Sequence, residues 1–474
     1  MMSERGGRTP GSTPRDDGPS GAASGPDGWP TRTRHVVLAF AVLLAVITYV
    51  DRVCISQAAP QMREELGLTK EQMGWAFFAF SIAYASFEIP GGWLGDRIGP
   101  RAVLLRVVTM WSTFTILTGW AGSFLTLVVY RFLFGVGEAG CFPNLAKVFS
   151  LWLPGHERVR AQGIMWLSAR WGGAFTPLLV GWMLSPDHLG LHYKWTFLLF
   201  GLLGIVWAVA FWSWFRDNPR HHAGVNDAEL AIIGDSADRE VGHGRVPWGL
   251  FLSSASVWLL WLQYFCQNFS WYFYITWMPT FLKETFPEFT DMQRALAGCV
   301  PLFFGGIGSF VSGSLAAALA RRLGGTGRAR RSLGCTGLCG AAVMLLASVW
   351  LQQHATGAAS VTFGVAALVA MGLASFGNDL SMPGSWGACM DIGGRHTGSL
   401  AGSMNMMGNF GGALSPVVVP WLLARFATPG STDPNWSVAF LLFAAVYAVG
   451  GLAWLFIDPV TPLEGDPTAR ARGA

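Results

Sequence analysis

The chain has 474 residues, 52% hydrophobic, 14% aromatic and only 13% charged, with a mean hydropathy of +0.40. A soluble protein carries about 25% charged residues, so this composition excludes an ordinary soluble domain. The net charge of +4 is small and lies mostly in loops, which excludes an extended basic face for nucleic acid.

Residues 1–33 are rich in Gly, Pro, Ser, Thr and Arg, and are expected to form a disordered cytoplasmic tail. The tail holds no apolar core of a cleaved signal peptide, so the first span is expected to act as an uncleaved insertion signal. Apolar runs then recur at 36–58, 73–94, 102–121, 124–149, 161–184, 195–215, 253–281, 294–320, 332–352, 359–387, 397–426 and 435–457. Most exceed about 18 residues, the length that crosses a bilayer as a helix. The polar stretch 217–247 divides them six and six, and Asn226-Asp227-Ala228-Glu229 within it reads as the capped start of a short helix. The predicted fold is an all-α membrane protein of twelve transmembrane helices in two six-helix bundles, 34–216 and 248–458, with a cytoplasmic tail at 459–474.

The loops set the orientation. If residue 1 is cytoplasmic, the inner loops carry fifteen arginines, among them Arg97, Arg101, Arg158, Arg239, Arg245, Arg330 and Arg395, against six basic residues outside. This bias predicts a multi-pass protein with both termini in the cytoplasm, and 28 arginines against 4 lysines point to a GC-rich bacterial source, hence a bacterial inner membrane. The seven cysteines lie mostly in apolar segments without zinc-ligand spacing, so no metal, cofactor or disulfide is expected.

The fourth span carries two charges, Arg131 and Glu138, seven residues apart and thus on one helical face about 10 Å apart in depth. Charge at that depth costs several kcal/mol unless it meets a cavity or a partner. Gly135, Gly137 and Gly140 between and after them match G-x-G-x-x-G, but without a strand–turn–helix context they read as helix packing, as do Gly398/Gly402 and Gly408/Gly412. Asp51 and Arg52 lie two-thirds along the first span, Asp51 at a depth matching Arg131. Asp51 is therefore expected to face Arg131 near the outer vestibule, and Glu138 to hold a deeper proton. Arg170 in the fifth span is expected to face a cavity or to pair with Glu138. Glu88 reads as a structural partner of the basic loop after the second span, with an extra titrating site as the alternative, and Lys147 as a snorkelling lysine. In the second half, Gln267, Asn268, Trp271, Tyr272 and Tyr274, then Ser375, Asn378 and Asp379, then Asn405 and Asn409 crowd three spans, and the neutral amides and hydroxyls among them suit a hydroxylated ligand.

The string Pro90-Gly-Gly-Trp-Leu-Gly-Asp-Arg-Ile-Gly-Pro-Arg-Ala-Val-Leu104 reads as a tight turn. In it Asp96, Arg97 and Arg101 can latch two halves together, with Asp391 as a further gate or cap. With twelve spans and a central linker, the string resembles the major facilitator superfamily over about residues 34–458. The corresponding stretch of the second half, Gly313 to Arg322, has Ala317 at the aspartate position. Three more stretches resemble the anion:cation symporters: Tyr49-Val-Asp-Arg-Val-Cys-Ile-Ser56, Arg131-Phe-Leu-Phe-Gly-Val-Gly-Glu-Ala-Gly-Cys-Phe-Pro143 and Asp391-Ile-Gly-Gly-Arg-His-Thr-Gly-Ser-Leu-Ala-Gly-Ser-Met-Asn405. The drug-antiporter ending of the fifth span is absent.

The resemblance implies proton coupling at Asp51 and Glu138, and substrate or coupling roles at Arg52 and Arg131. Tyr49, Tyr84, Arg170, Asn268, Tyr272, Ser375, Asn378 and Asn405 complete the candidate substrate site. The implied function is proton-coupled uptake of an organic anion, with sugar acids (galactonate, glucarate, hexuronates) first, by a monomer in the lipid bilayer. An exporter or exchanger of the same fold and an aromatic-acid carrier are the alternatives. A membrane enzyme or sensor would need a catalytic constellation; His156-Glu157 lacks the second histidine of H-E-x-x-H.

Overall fold

The computed structural model describes residues 28–234, 246–354, 360–426 and 435–464. Residues 1–27 of the expected tail, and Arg239 and Arg245 of the linker, lie outside them. The helices of the first half are α1 (Thr33–Leu66), α2 (Lys70–Ile98), α3 (Pro100–Gly119), α4 (Phe124–Glu138), α5 (Cys141–Trp152), α6 (Gly155–Leu184) and α7 (Tyr193–Trp214). The linker contributes α8 (Asp227–Ile233). The second half has α9 (Trp248–Ser253), α10 (Ala255–Thr276), α11 (Met278–Thr285), α12 (Asp291–Leu323), α13 (Thr326–Gln353), α14 (Ser360–Gly393), α15 (Thr397–Arg425) and α16 (Trp436–Phe456). No strand occurs among the described residues. They make twelve crossings, and the fourth and seventh are each broken into two helices.

Local chemistry explains the helix starts. Thr69, Ser123 and Thr290 form reciprocal capping boxes with Gln72, Thr126 and Gln293, which satisfy otherwise unpaired N–H groups at the heads of α2, α4 and α12. Pro100 sits in the first turn of α3, where its missing N–H costs nothing. Eight stretches are long and apolar enough to cross a membrane, α14 and α15 counting as one. Crossings such as α2, α6 and α10 fall short because they carry polar side chains inward: Glu88 and Asp96, Arg158 and Arg170, Gln263 and Gln267 are all buried. Large apolar side chains such as Trp75, Leu125, Phe175, Val206, Trp421 and Phe456 face outward instead, as a lipid-covered surface requires.

The fourth span is not the single helix expected. It breaks at Ala139–Gly140, where Gly140 has φ +85° and an added Cβ would lie 2.7 Å from Gly91 Cα. Gly135 and Gly140 of the G-x-G-x-x-G stretch thus serve the close approach of α2, and Gly137 that of α3. The expected packing faces of α15 are also present. Gly398 and Gly402 let it lie on the backbone of Gly92 and Glu88 of α2, and Gly408 and Gly412 receive Tyr264 and Tyr272 of α10. The halves meet along α2–α15 and α6–α12, the latter through Gly163 against Ser309 and Gly313.

Both described termini lie at one end of the bundle. Residues 28–33, expected within the disordered tail, are held there by the linker. The Thr31 hydroxyl donates to Glu229 Oε2 (2.5 Å), and the backbone N–H groups of Thr33 and Arg34 donate to the same carboxylate (3.2 and 3.1 Å). Glu229 therefore caps α1 from α8, and Asn226 caps α8 by accepting from Glu229 N at 3.0 Å.

Replacing Gly140 by Ala should lower stability by about 1–3 kcal/mol through the left-handed backbone alone, and by more through the clash with Gly91. Gly67→Ala, also left-handed at φ +63° but in open space, should show only the smaller loss. Thermal unfolding of both variants in detergent checks this.

Candidate functional site

Between the halves, at mid-bundle, lies a cavity of about 40 Å³. Tyr49 and Arg52 of α1, Tyr84 of α2, Phe142 of α5, and Trp166 and Arg170 of α6 line it from the first half. Tyr264, Asn268, Trp271 and Tyr272 of α10, Met382 of α14, and Asn405 and Asn409 of α15 line it from the second.

Arg52 is the guanidinium at the cavity. Its Nε lies 2.5 Å from Glu138 Oε1, and its head group stacks on the Tyr84 ring at 4.3 Å. Glu138 is fully buried behind it, and its Oε2 makes no hydrogen bond among the described residues. Arg131 differs from expectation. It does not line the cavity and forms no ion pair among the described residues. Its guanidinium sits between Phe80 and Phe134, 4.8 and 4.7 Å from their ring centres. Asp51 is also enclosed within the first half, near Trp111, Glu138 and Arg131, and its carboxylate oxygens make no hydrogen bond among the described residues. The expected Asp51–Arg131 pair is therefore not made. Successive helical residues point about 100° apart. That single step turns Arg52 to the cavity and Asp51 into the α1–α3–α4 core.

Arg170 does not pair with Glu138. It forms a two-pronged ion pair with Asp379 of α14, Nε–Oδ2 2.7 Å and Nη2–Oδ1 3.0 Å, and so joins the two halves. Nη1 donates to Tyr49 Oη at 3.1 Å, and the guanidinium lies 3.7 Å over the Trp271 ring. Asn378 Nδ2 donates to Asp379 Oδ1 (2.7 Å). Asn378 and Ser375 therefore stand behind the cavity with Asp379 rather than lining it. Gly305 makes room for them, since a Cβ there would lie 2.8 Å from Asp379 Oδ2 and 2.9 Å from Ser375 Oγ. Asn405, Asn268 and Tyr272 do reach the cavity. Asn405 Nδ2 donates to Glu88 Oε1 (2.7 Å) and Tyr84 Oη (3.2 Å), and Tyr272 Oη donates to Asn409 Oδ1 (3.3 Å). Glu88 is thus a partner of the cavity wall, not of the basic loop. Glu88 and the aromatic walls Phe142 and Trp166 were not among the candidate site residues, and Asp379 was expected beside the polar wall rather than as the partner of Arg170. An acid and an arginine in separate apolar spans was the only signal for the Arg170–Asp379 pair.

The end bearing the termini is sealed. Asp96 accepts from the N-terminal amides of α15, Gly398 N at 3.0 Å and Ser399 N at 2.6 Å, and pairs with Lys147 at 3.1 Å. A carboxylate there meets both the open N–H groups and the helix dipole. Lys147 does not snorkel. It is 1% exposed and also donates to the Arg395 carbonyl. Asp391 pairs with Arg158 of the first half and Arg330 of the second, each at 2.7 Å. Two of the expected gating residues do not cross between halves. Arg97 lies over Trp93 of its own helix, and Arg101 donates its backbone N–H to Asp217 and its guanidinium to the Trp212 carbonyl. The glycine-rich turn places Asp96 inward and carries both arginines around to the outside of the first half.

Removing one partner of the Arg170–Asp379 pair leaves a buried charge uncompensated. Asp379→Asn and Arg170→Gln should each lower stability by about 3–5 kcal/mol, and the double variant by clearly less than the sum. Thermal melts in detergent read this coupling.

The sequence pattern of the Major Facilitator Superfamily matches residues 41–416. The chain is 35% identical over 435 residues to the "Probable sulfoacetate transporter SauU" of Cupriavidus necator, covering 91% of this chain and 96% of that one. It is 29% identical to the "D-galactonate transporter" of Escherichia coli O6:H1 (90% and 96% covered) and 28% identical to the "Hexuronate transporter" of Bacillus subtilis (91% and 96% covered). Its fold is similar to that of the "proton:xylose symporter XylE bound to 6-bromo-6-deoxy-D-glucose", with a TM-score of 0.70 at 15% identity over 91% of this chain and 98% of that one. The match over most of the chain, the two six-helix halves and the closed central cavity make it a multi-pass membrane transporter rather than an enzyme, and a member of the Major Facilitator Superfamily.

Proposed function

We propose that this transporter moves a small organic anion together with protons across a bacterial inner membrane and into the cytoplasm, by rocking its two halves about the central cavity. The observation that carries the reading is the Arg52–Glu138 pair at the cavity wall, 2.5 Å long, with Arg52 facing the cavity and Glu138 buried behind it. A carboxylate or sulfonate arriving in the cavity competes with Glu138 for one guanidinium, which can bind an oxyanion through two parallel N–H groups. Protonating Glu138 releases Arg52 to the anion, and the bound anion favours the proton on Glu138. The two binding events are thereby mutually favourable, as linkage requires. Asp51 and Arg131, packed behind the pair, form the relay to Glu138, so Arg131 acts on the charge balance and not on the cargo.

The expected cargo is a sugar acid, as for the D-galactonate and hexuronate transporters among its relatives. Asn405, Asn409, Asn268 and Tyr272 offer neutral hydrogen-bonding groups to hydroxyls opposite Arg52. A short sulfonated acid is the second reading. It is favoured by the higher identity to the sulfoacetate relative, and by a cavity wall that is largely aromatic. The end bearing the termini is taken as cytoplasmic from the basic loops. Asp96, Lys147, Asp391 and Arg158 then form the inner gate, and the rocking motion must open it.

The test is uptake into proteoliposomes under an imposed pH gradient, with galactonate, glucarate, a hexuronate and sulfoacetate as cargoes. Accumulation driven by inward protons supports the reading, whereas pH-independent counterflow alone would make the protein an exchanger. Arg52→Gln should weaken binding about 10- to 100-fold, the value of a charged hydrogen-bonded pair. Glu138→Gln and Asp51→Asn should abolish pH-driven accumulation, while Glu138→Gln keeps counterflow. Asp96→Asn should open the terminal end, read as a longer distance between spin labels placed on the α2–α3 and α14–α15 turns.

A further inference from the structure

Glu88 is fully buried beside the central cavity without being one of its walls. It belongs to α2 of the first half, about two turns before Asp96. The helix against it is α15 of the second half. A Cβ on Gly402 would lie 2.6 Å from the Glu88 carbonyl oxygen, so the two backbones touch at this level. Asn405 follows Gly402 by one turn on the same face of α15, which brings its side chain to that of Glu88. Asn405 Nδ2 donates to Glu88 Oε1 at 2.7 Å and to Tyr84 Oη at 3.2 Å. Asn405 is also a wall of the central cavity.

These bonds give the amide of Asn405 a direction. An amide has two N–H donors at one end and an acceptor oxygen at the other, and the two ends are alike in size. The Tyr84 hydroxyl can donate or accept, so it suits either end. A carboxyl oxygen that carries no hydrogen only accepts, whether or not the second oxygen is protonated, so Glu88 Oε1 suits the nitrogen alone. Both donors of Asn405 are thus spent on the first half. Its Oδ1 accepts no hydrogen bond among the described residues and is the group left for a ligand. The other asparagines of the cavity are less restricted. Asn268 and Asn409 each donate one N–H to a backbone carbonyl, of Tyr264 and Asn405, at 2.9 and 2.8 Å, and each keeps a second N–H. For packing alone a glutamine at position 88 would serve, but its own amide can turn and would let Asn405 turn with it.

We propose that Glu88 determines the specificity of the central cavity by holding the Asn405 carbonyl oxygen toward the cargo, which must present a hydroxyl there and not a second anionic group. Glu88 is a positioning residue, since it acts through Asn405. The substrate class is then a hydroxylated acid with one anionic end. Arg52 takes the carboxylate or sulfonate, and Asn405 accepts from an O–H on the carbon chain. A carboxylate in the place of that O–H meets an acceptor and has no proton to give it. Arg170, the second guanidinium lining the cavity, is bound by Asp379 through two hydrogen bonds and does not offset the added charge. This rests on the reading that Arg52 receives the anionic end of the cargo, and deepens it.

The test is equilibrium binding to the purified full-length protein in detergent at neutral pH, measured by calorimetry, which does not depend on transport. Two matched pairs of ligands are compared, galactonate with galactarate and isethionate with sulfoacetate. In each pair a hydroxymethyl group is replaced by a carboxylate. In whichever pair binds, the wild type should hold the hydroxymethyl member at least about tenfold more tightly. Glu88→Gln should bring that ratio to within about threefold, and so should Asn405→Ala. In the Asn405→Ala background, Glu88→Gln should change the ratio no further, because the two residues act as one unit. A role in packing alone weakens both members of a pair together and leaves the ratio as it was. A wild type that holds both members equally or prefers the carboxylate one, a ratio that survives Glu88→Gln, or an effect of Glu88→Gln that persists without Asn405 overturns the proposal. Binding of none of the four anions defeats the reading of an anion at Arg52, and this inference with it. The expected ratios in a protein that accumulates no anion under a proton gradient leave the inference standing and defeat the proton coupling alone.

Discussion

The structure depends on how it disposes of charge inside a lipid-facing shell. The ion pair between Arg170 and Asp379 is the clearest case. Its two residues are 209 positions apart, belong to different halves and are both buried. Neither could stay ionised alone at that depth without a cost of several kcal/mol. Together with Tyr49, Trp271 and Asn378 they satisfy one another and define how the halves sit at mid-bundle. Through Arg170 the same pair also reaches the wall of the central cavity.

The other charged groups follow the same constraint with different outcomes. Arg52 meets Glu138 and still faces the cavity, so its charge is available to a ligand. Arg131 finds two aromatic faces, which stabilise a cation without neutralising it. Asp96 is matched by helix-terminal amides and Lys147, and Asp391 by two arginines. These last clusters join the halves at the sealed end. Each adds its contacts to the stability of this closed arrangement.

Glycine is the second constraint. α2 and α15 can exchange such contacts only because Gly92, Gly398 and Gly402 let their backbones touch. Gly140 ends α4 for the same reason, against Gly91. The break at Ala139–Gly140 lies directly after Glu138. Thus the carboxylate nearest the cavity arginine sits at the end of a helix rather than within one, where the sequence pattern alone suggests an unbroken span.

Much of this was legible in the sequence because it follows from local chemistry. Length and hydropathy determined the twelve crossings. Asn226 followed by Glu229 determined the start of α8. Glycine spacing determined the packing faces of α15, and the charges within apolar spans marked the side chains that had to find partners. What only the tertiary structure decided was which charges meet. A rotation of about 100° per residue turns Asp51 into the first-half core, near Arg131 but without an ion pair to it, and gives Glu138 to Arg52. A turn of glycines sends Asp96 inward and Arg97 and Arg101 outward. Arg170 finds its acid in the other half, across a distance in sequence that no periodicity spans. The sequence by itself states that a charge is too costly to leave alone; only the packing of helices from both halves chooses the group that answers it.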